Sequence, residues 1–469
     1  MPETIPTRNS EEPSHEGEHR LAARVGLFDA TMVVMGGIIG SGIFINPYVV
    51  AKLVHTPAMI LGAWVAGGVL ALIGAFIYAE LADRMPRVGG QYAYIREGYH
   101  PALGFLFGWA ELFVIGAGGS AAVVVTFAKY FRELTQTNVP ENLIATIVMV
   151  LLVLINCMGV RAGSGVQSLF MVLRIVGVTL VVVCGAWFIS TPGAPRPPWH
   201  PLQDRPISFD LITVFGATMV PILFAYGGWQ TSNFIASEIR EPRKNLPRAL
   251  LLGVLGVLVL YVSVNFIYVE ALTPAGLAAT GTPASEVMRH ALGNFGAKLI
   301  AVAIAISTVG FLSQAMLTFP RVYFAMAEDG VLPKEIARLS ARSRAPVAAI
   351  ALQGALIVAV VLLGTFEQIL SYVVVMDWLF FGLTASCVFV FRMRERRAAV
   401  AGGADAEAPG YRVPGHPWTT ALFTGSACLI VLNTIYRYPR NAGVAVCILL
   451  AGVPVYFWFQ RRAQRAGGS

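Results

Sequence analysis

Charged residues are scarce in this chain: they make up 13% of its 469 residues, while 56% are hydrophobic. An ordinary soluble domain carries about 25% charged residues, so this shortage excludes a soluble protein of that kind. The net charge of +8 does not indicate a nucleic-acid partner, because the basic residues lie in short loops between long apolar runs. The composition therefore predicts an all-α polytopic membrane protein that lies in the lipid bilayer.

Metal-binding and catalytic patterns are also missing. The seven histidines fall in the amino-terminal tail or outside the apolar runs, and no C-x-x-C pair occurs. We therefore predict no metal site, disulfide framework or nucleophile–base pair within the runs, and we expect neither an enzyme nor a bound cofactor. The five cysteines lie in apolar runs or at their ends, at Cys157, Cys184, Cys387, Cys428 and Cys447.

Long apolar runs are the main feature of the chain. A run of about 17–25 apolar residues is long enough to cross a bilayer as a helix, and twelve such runs predict twelve transmembrane helices. They lie near residues 25–50, 59–82, 102–131, 141–158, 165–190, 208–235, 246–270, 294–326, 346–364, 367–391, 418–435 and 442–460. Basic clusters such as Arg240–Arg248 follow the even-numbered runs. Because Lys and Arg mark cytoplasmic loops, we expect a cell-membrane protein with both termini in the cytoplasm.

Glycines interrupt two of these runs. Four glycines fall within Gly36–Gly42 in the first run, and two fall within Phe224–Trp229 in the sixth. A helix break inside lipid is tolerated only where it lines a cavity or is buried in protein. Matched breaks in corresponding helices point to an inverted-repeat transporter with its site near the bilayer midplane. Either motif alone is equally consistent with close packing of helices through small residues.

This pairing predicts a five-plus-five inverted repeat with broken helices 1 and 6, followed by helices 11 and 12. The longest cytoplasmic loop is too short for the output domain of a sensor, so a non-transporting amino acid sensor is only an alternative. The predicted organisation is a disordered cytoplasmic tail at 1–24, a first repeat at 25–200, a second at 201–392, a cytoplasmic loop at 393–417, helices 11 and 12 at 418–460, and a tail at 461–469.

Five motifs, in order along the chain, resemble signature segments of the amino acid–polyamine–organocation transporters. The motif around the sixth run resembles the L-type amino acid transporter branch. The motifs are Gly37–Phe44, Tyr78–Leu81 with Met85–Tyr92, Phe224–Trp229 with Glu238–Arg248, Pro320–Ala327 with Asp329–Pro333, and Tyr411–Pro414. The resemblance covers about residues 24–460. It implies a LeuT-type fold and secondary active transport of amino acids by alternating access, as an exchanger or a symporter.

The broken segments have the chemistry to hold an amino acid zwitterion. The N–H groups of Ser41, Gly42 and Ile43 would open the second half of helix 1 and meet the carboxylate. Carbonyl groups around Ile38 and in 224–227 would take the ammonium. The resemblance implies the same assignment, with an aromatic gate at Phe224. The predicted substrate-binding residues are Ile38, Ile39, Gly40, Ser41, Gly42, Ile43, Phe224, Ala225, Tyr226 and Gly227.

Arg174 lies inside the fifth run, where a charge facing lipid would be costly. The resemblance places it where relatives have a lysine whose ammonium replaces a sodium ion. Arginine stays protonated, which disfavours proton coupling through this residue. Arg174 and Ser313 are predicted to mimic an occupied cation site, to which Ser307 and Thr308 could add oxygens. The alternative is an arginine that reaches the cytoplasmic interface.

The substrate is predicted to be a neutral L-amino acid. Neither 36–44 nor 224–229 contains an acidic or basic residue, and an unpaired buried charge is costly. Glu111 and Asp377 lie in other runs, where a structural bond is as consistent as a transport role, so a cationic amino acid or polyamine transporter is the alternative. Residues 133–140 contain no cysteine. Heteromeric relatives tether a partner there, so we expect no obligatory disulfide-linked partner.

Overall fold

The computed structural model describes residues 25–85, 90–158, 164–230, 232–233, 239–340, 346–364, 366–400 and 410–467. Sixteen α-helices form nearly all of this part of the chain. They are α1 (Leu27–Ile38), α2 (Gly42–Leu53), α3 (Pro57–Arg84), α4 (Gln91–Gly98), α5 (Pro101–Ala110), α6 (Gly116–Thr135), α7 (Glu141–Cys157), α8 (Ser164–Ile189), α9 (Phe209–Tyr226), α10 (Pro242–Ala279), α11 (Pro283–Thr318), α12 (Pro320–Glu328), α13 (Val347–Leu363), α14 (Phe366–Val400), α15 (Trp418–Arg437) and α16 (Pro439–Gly467). A π-helical turn, Glu111–Ile115, joins α5 to α6.

These helices match the predicted membrane spans. Ten helical segments of the described chain are long and apolar enough to cross a membrane. α7 and α13, of 17 residues each, lie at the fourth and ninth predicted runs. Apolar side chains such as Ile212, Phe295 and Leu429 are exposed on outer helix faces, where a bilayer would cover them. The predicted all-α polytopic fold class is therefore confirmed.

Corresponding spans of the two predicted repeats pack against each other. In the first repeat α2, α3, α6 and α7 contact α9, α10, α11 and α13 of the second, respectively. These are the first and sixth, second and seventh, third and eighth, and fourth and ninth spans. Such pairing suits two repeats related by an axis in the membrane plane. The domain boundaries remain predictions.

Several helix ends differ from the sequence expectations. The sixth run was expected to reach 235, but α9 ends at Tyr226 because Gly227 is extended and Gly228 has φ +96°. At the other end of the chain α14 continues to Val400, into the expected loop, and α16 continues to Gly467, into the expected tail. The described residues leave out the whole predicted tail at 1–24 and parts of other predicted segments, at 86–89, 159–163, 231, 234–238, 341–345, 365, 401–409 and 468–469.

Candidate functional site

The first span is broken at residues 39–41. α1 ends where Ile39 leaves the helical region (ψ 82°), and α2 begins at Gly42. The N–H groups of Ser41, Gly42 and Ile43 have no acceptor among the described residues, whereas Phe44 N–H donates to Ser41 O (3.1 Å). The hydroxyl of Ser41 is buried and also has no partner there. The start of α2 is therefore an open set of donors at the positive end of a helix.

The second break touches the first through backbone atoms. A Cβ on Gly228 would lie 2.0 Å from Gly37 O, and one on Gly42 would lie 2.7 Å from Ala225 Cα. Only glycine permits these approaches, and Gly228 also needs its positive φ. The Asn46 side chain donates to Pro221 O (2.6 Å), which ties α2 to α9. The glycines of both motifs therefore join the two broken spans at the point where each is interrupted.

A cavity of about 60 Å³ opens beside both breaks. Six of the ten predicted substrate-binding residues line it, namely Ile38, Gly40, Ser41, Gly42, Phe224 and Gly227. The cavity is also lined by residues that the sequence analysis did not select, among them Gly119, Gln230, Phe311, Gln314 and Asp377.

The other four predicted residues point away from the cavity. Ile39, Ile43 and Ala225 are buried in the apolar core. The ring of Tyr226 packs against those of Trp64 and Tyr261, with centroids 5.8 and 5.1 Å apart. These side chains hold the broken spans in the bundle. The sequence indicates where each helix breaks, but not which way the side chains around the break turn.

Arg174 reaches the carbonyl end of α1 from α8. Its side chain is 2% exposed, and Nη1 donates to Gly36 O (2.7 Å) and Ile39 O (3.4 Å). The Tyr261 hydroxyl donates to Ile38 O (3.1 Å). No carboxylate pairs with Arg174 in the described part of the chain, so its charge is balanced by carbonyl dipoles at the negative end of a helix.

Ser313, the predicted partner of Arg174, is half-buried on α11 and has no hydrogen bond among the described residues. Its neighbour Gln314 instead lies next to Arg174. Gln314 Nε2 donates to Val33 O (3.0 Å). A Cβ on Gly36 would lie 2.6 Å from Gln314 Oε1 and 3.4 Å from Arg174 Nη1. Gln314 therefore lies beside the guanidinium, at the cavity.

The two unassigned acids lie together. Asp377, on α14, lines the cavity. Glu111 is 1% exposed at the start of the π-helical turn, and its Oε1 has no hydrogen-bond partner among the described residues. The two carboxyl groups are close enough to interact electrostatically. An ionisable residue in the middle of an apolar run is the signal that marked both as functional candidates.

This fold and site indicate the class: a helical membrane transporter with a cavity beside its two interrupted spans. The sequence pattern of the amino acid permease family matches residues 25–464, and the chain belongs to this family.

Individual relatives match over nearly the whole chain. The serine/threonine exchanger SteT of Bacillus subtilis (strain 168) is 30% identical over 456 residues, covering 96% of this chain and 99% of that protein. The large neutral amino acids transporter small subunit 2 of Homo sapiens is 29% identical over 446 residues, covering 93% and 80%. The cystine/glutamate transporter of Homo sapiens is 26% identical over 460 residues, covering 97% and 89%.

Proposed function

We propose that this chain moves neutral L-amino acids across the cell membrane by alternating access, as an exchanger or a symporter, and that the cavity between the breaks holds the substrate. The observation that carries the proposal is the set of acceptor-free N–H groups of Ser41, Gly42 and Ile43 at the start of α2. They would meet the substrate carboxylate, because three donors at a helix N-terminus form an anion site. Carbonyl groups at the end of α9 would take the ammonium.

Two observations support a neutral substrate. The broken segments 36–44 and 224–229 contain no charged side chain. Two of the relatives are named as a serine/threonine exchanger and a transporter of large neutral amino acids. The cavity is small, about 60 Å³, which favours small neutral side chains over large ones.

We further propose that Arg174 acts as a fixed positive charge in place of a bound cation, and that the chain works without a disulfide-linked partner. The contacts of Arg174 with Gly36 O and Ile39 O support the first role. The lack of a cysteine in 133–140 supports the second. The basic clusters after even-numbered runs support cytoplasmic termini.

Uptake by purified protein in proteoliposomes tests this function. We expect Gly42→Val to reduce uptake of L-alanine and L-leucine to background, since its Cβ would press on Ala225. Because that change also strains the contact with α9, Gly119→Val is the second variant. Gly119 lines the cavity, and a Cβ there meets no atom within 4 Å.

Gly119→Val is expected to melt like the native protein and to lose leucine uptake more than alanine uptake. Gly62→Val is the matched control, because a Cβ at Gly62 also meets nothing within 4 Å and Gly62 does not line this cavity. Native uptake of both amino acids by Gly119→Val would contradict the site assignment.

A further inference from the structure

Asp377 is the single charged residue among the described residues that line the cavity. It comes from α14, separate from the two broken spans that would hold the backbone groups of the substrate. Its side chain is half-buried, and no donor from the described residues lies within hydrogen-bond distance of its carboxyl group. The cavity therefore presents one acceptor group that the protein itself leaves unoccupied.

The surroundings of Asp377 do not supply a counter-charge. Glu111, which interacts electrostatically with Asp377, is also an acid and would add repulsion. The Tyr78 hydroxyl from α3 also interacts with Asp377, but it makes no hydrogen bond to the carboxyl group. The Tyr323 hydroxyl from α12 donates to the backbone of Glu111 (3.5 Å) and not to its carboxyl group. A half-buried carboxyl group without a partner from the protein is an open acceptor, so a solute that fills the cavity and brings a donor can bond to it.

We propose that Asp377 accepts a hydrogen bond from the side-chain hydroxyl of the bound amino acid, so that the cavity selects small hydroxyl amino acids over apolar ones of the same shape. This inference rests on the proposed function. The small volume favours serine- and threonine-sized side chains over long cationic ones. A site built to bond a hydroxyl discriminates strongly against the analogue without it, because the acceptor is then buried unpaired.

The test is competition between isosteric pairs in proteoliposomes. Threonine should outcompete valine, and serine alanine, by about tenfold to a hundredfold, the range of a hydrogen bond to a charged group. In Asp377→Leu the threonine-to-valine ratio should fall to about one. The ratio for Asp377→Asn should lie between that value and the native ratio.

Glu111→Gln is the matched control, since Glu111 is a buried acid of the same pair that does not line the cavity. It should keep the native ratio. A collapse of the ratio in Glu111→Gln as large as in Asp377→Asn would overturn the proposal, because the charge of the pair and not contact with Asp377 would then discriminate. Thermal-shift binding of threonine and valine provides the same ratio for a variant that binds but does not transport.

A short cationic amino acid separates hydroxyl recognition from charge pairing. We would compare L-2,4-diaminobutyrate with threonine as a competitor of native uptake. If diaminobutyrate competes better, and loses that advantage in Asp377→Asn, the hydroxyl assignment is overturned in favour of a cationic side chain. A native protein that takes up no amino acid at all would instead reject the proposed function itself.

Discussion

Two acids of this protein, the fully buried Glu80 and the half-buried Asp377, have opposite surroundings. Glu80, at the end of α3, is fully buried and accepts hydrogen bonds from Arg84 (2.7 Å), Arg392 (2.6 Å) and Val413 N–H (2.7 Å). Asp377, at the cavity, has no donor among the described residues. Burial of an acid is therefore not by itself a sign of function. The number of donors that the protein supplies separates an acid that holds the structure together from one left for a solute.

The bonds of Glu80 join three distant parts of the chain. Arg392 brings the end of α14 to α3, and Val413 belongs to the segment before α15. Asp83, one turn along, accepts from Tyr411 N–H (3.0 Å) and fixes the same segment. Glu80 thus links α3, α14 and the segment before α15 through hydrogen bonds.

The largest expected effect is on stability at Glu80. Glu80→Ala leaves Arg392 without its carboxylate and Arg84 with Glu395 as its remaining partner, and breaking a buried ion pair in this way costs about 3–5 kcal/mol. The apparent melting temperature of the purified protein should fall by roughly 5 °C or more. Asp377→Asn is the comparison variant and should melt at or above the native temperature, because it loses no hydrogen bond. The reverse order of melting temperatures would break the distinction between the two acids.

A smaller effect is expected at Arg174, which is buried like Glu80 but bonds only to carbonyl groups. Arg174→Ala removes a charged hydrogen bond worth about 1.5–3 kcal/mol, so transport should slow by about tenfold to a hundredfold. Substrate binding, measured by thermal shift, should persist because Arg174 does not line the cavity. Arg174→Lys should recover part of the rate. Strict dependence of native uptake on sodium would argue against a fixed charge in a cation site.

The smallest effect is expected at Asp204, an acid with two partners at the surface. Burial raises the pKa of Asp204, but hydrogen bonds from Arg205 and His55 outweigh it and bring that pKa below its usual value. The stabilisation is therefore present above the unfolded pKa of about 3.9 and is lost as the pH falls through the lower folded value.

Asp204→Asn should accordingly lower the apparent melting temperature by about 1–2 °C at pH 7, in line with a surface ion pair. The difference from the native protein should begin to shrink below about pH 4 and should disappear once the pH is below the lowered pKa of folded Asp204. An equal difference at pH 7 and at pH 3 would show that the charge of Asp204 is not its source.

Local features of the sequence predict the fold well. The length of the apolar runs alone locates the spans. The glycines locate both breaks, because an interrupted helix within lipid is tolerated only where its backbone lines a cavity or is buried in protein. Local features predict the candidate site only in part. Ser313 is the predicted partner of Arg174, whereas its neighbour Gln314 lines the cavity. A step of one residue corresponds to a turn of about 100° around a helix.

Asp377 illustrates a second limit of sequence reasoning. Its run gives no sign of whether its side chain faces lipid, a neighbouring helix or the cavity. That direction is set by the packing of α14 against α6 and α9, which depends on contacts far apart in the chain. The same limit applies to Tyr226, whose ring packs against Trp64 and Tyr261 and does not line the cavity.

The two short spans α7 and α13 pack side by side, and each has only 17 residues. At a rise of 1.5 Å per residue each is about 25 Å long, whereas the hydrocarbon layer of a typical bilayer is about 30 Å thick. One flank of the protein is therefore shorter than the membrane around it. Hydrophobic mismatch of this kind is relieved by local thinning of the bilayer, so lipids with shorter acyl chains fit this flank better than longer ones.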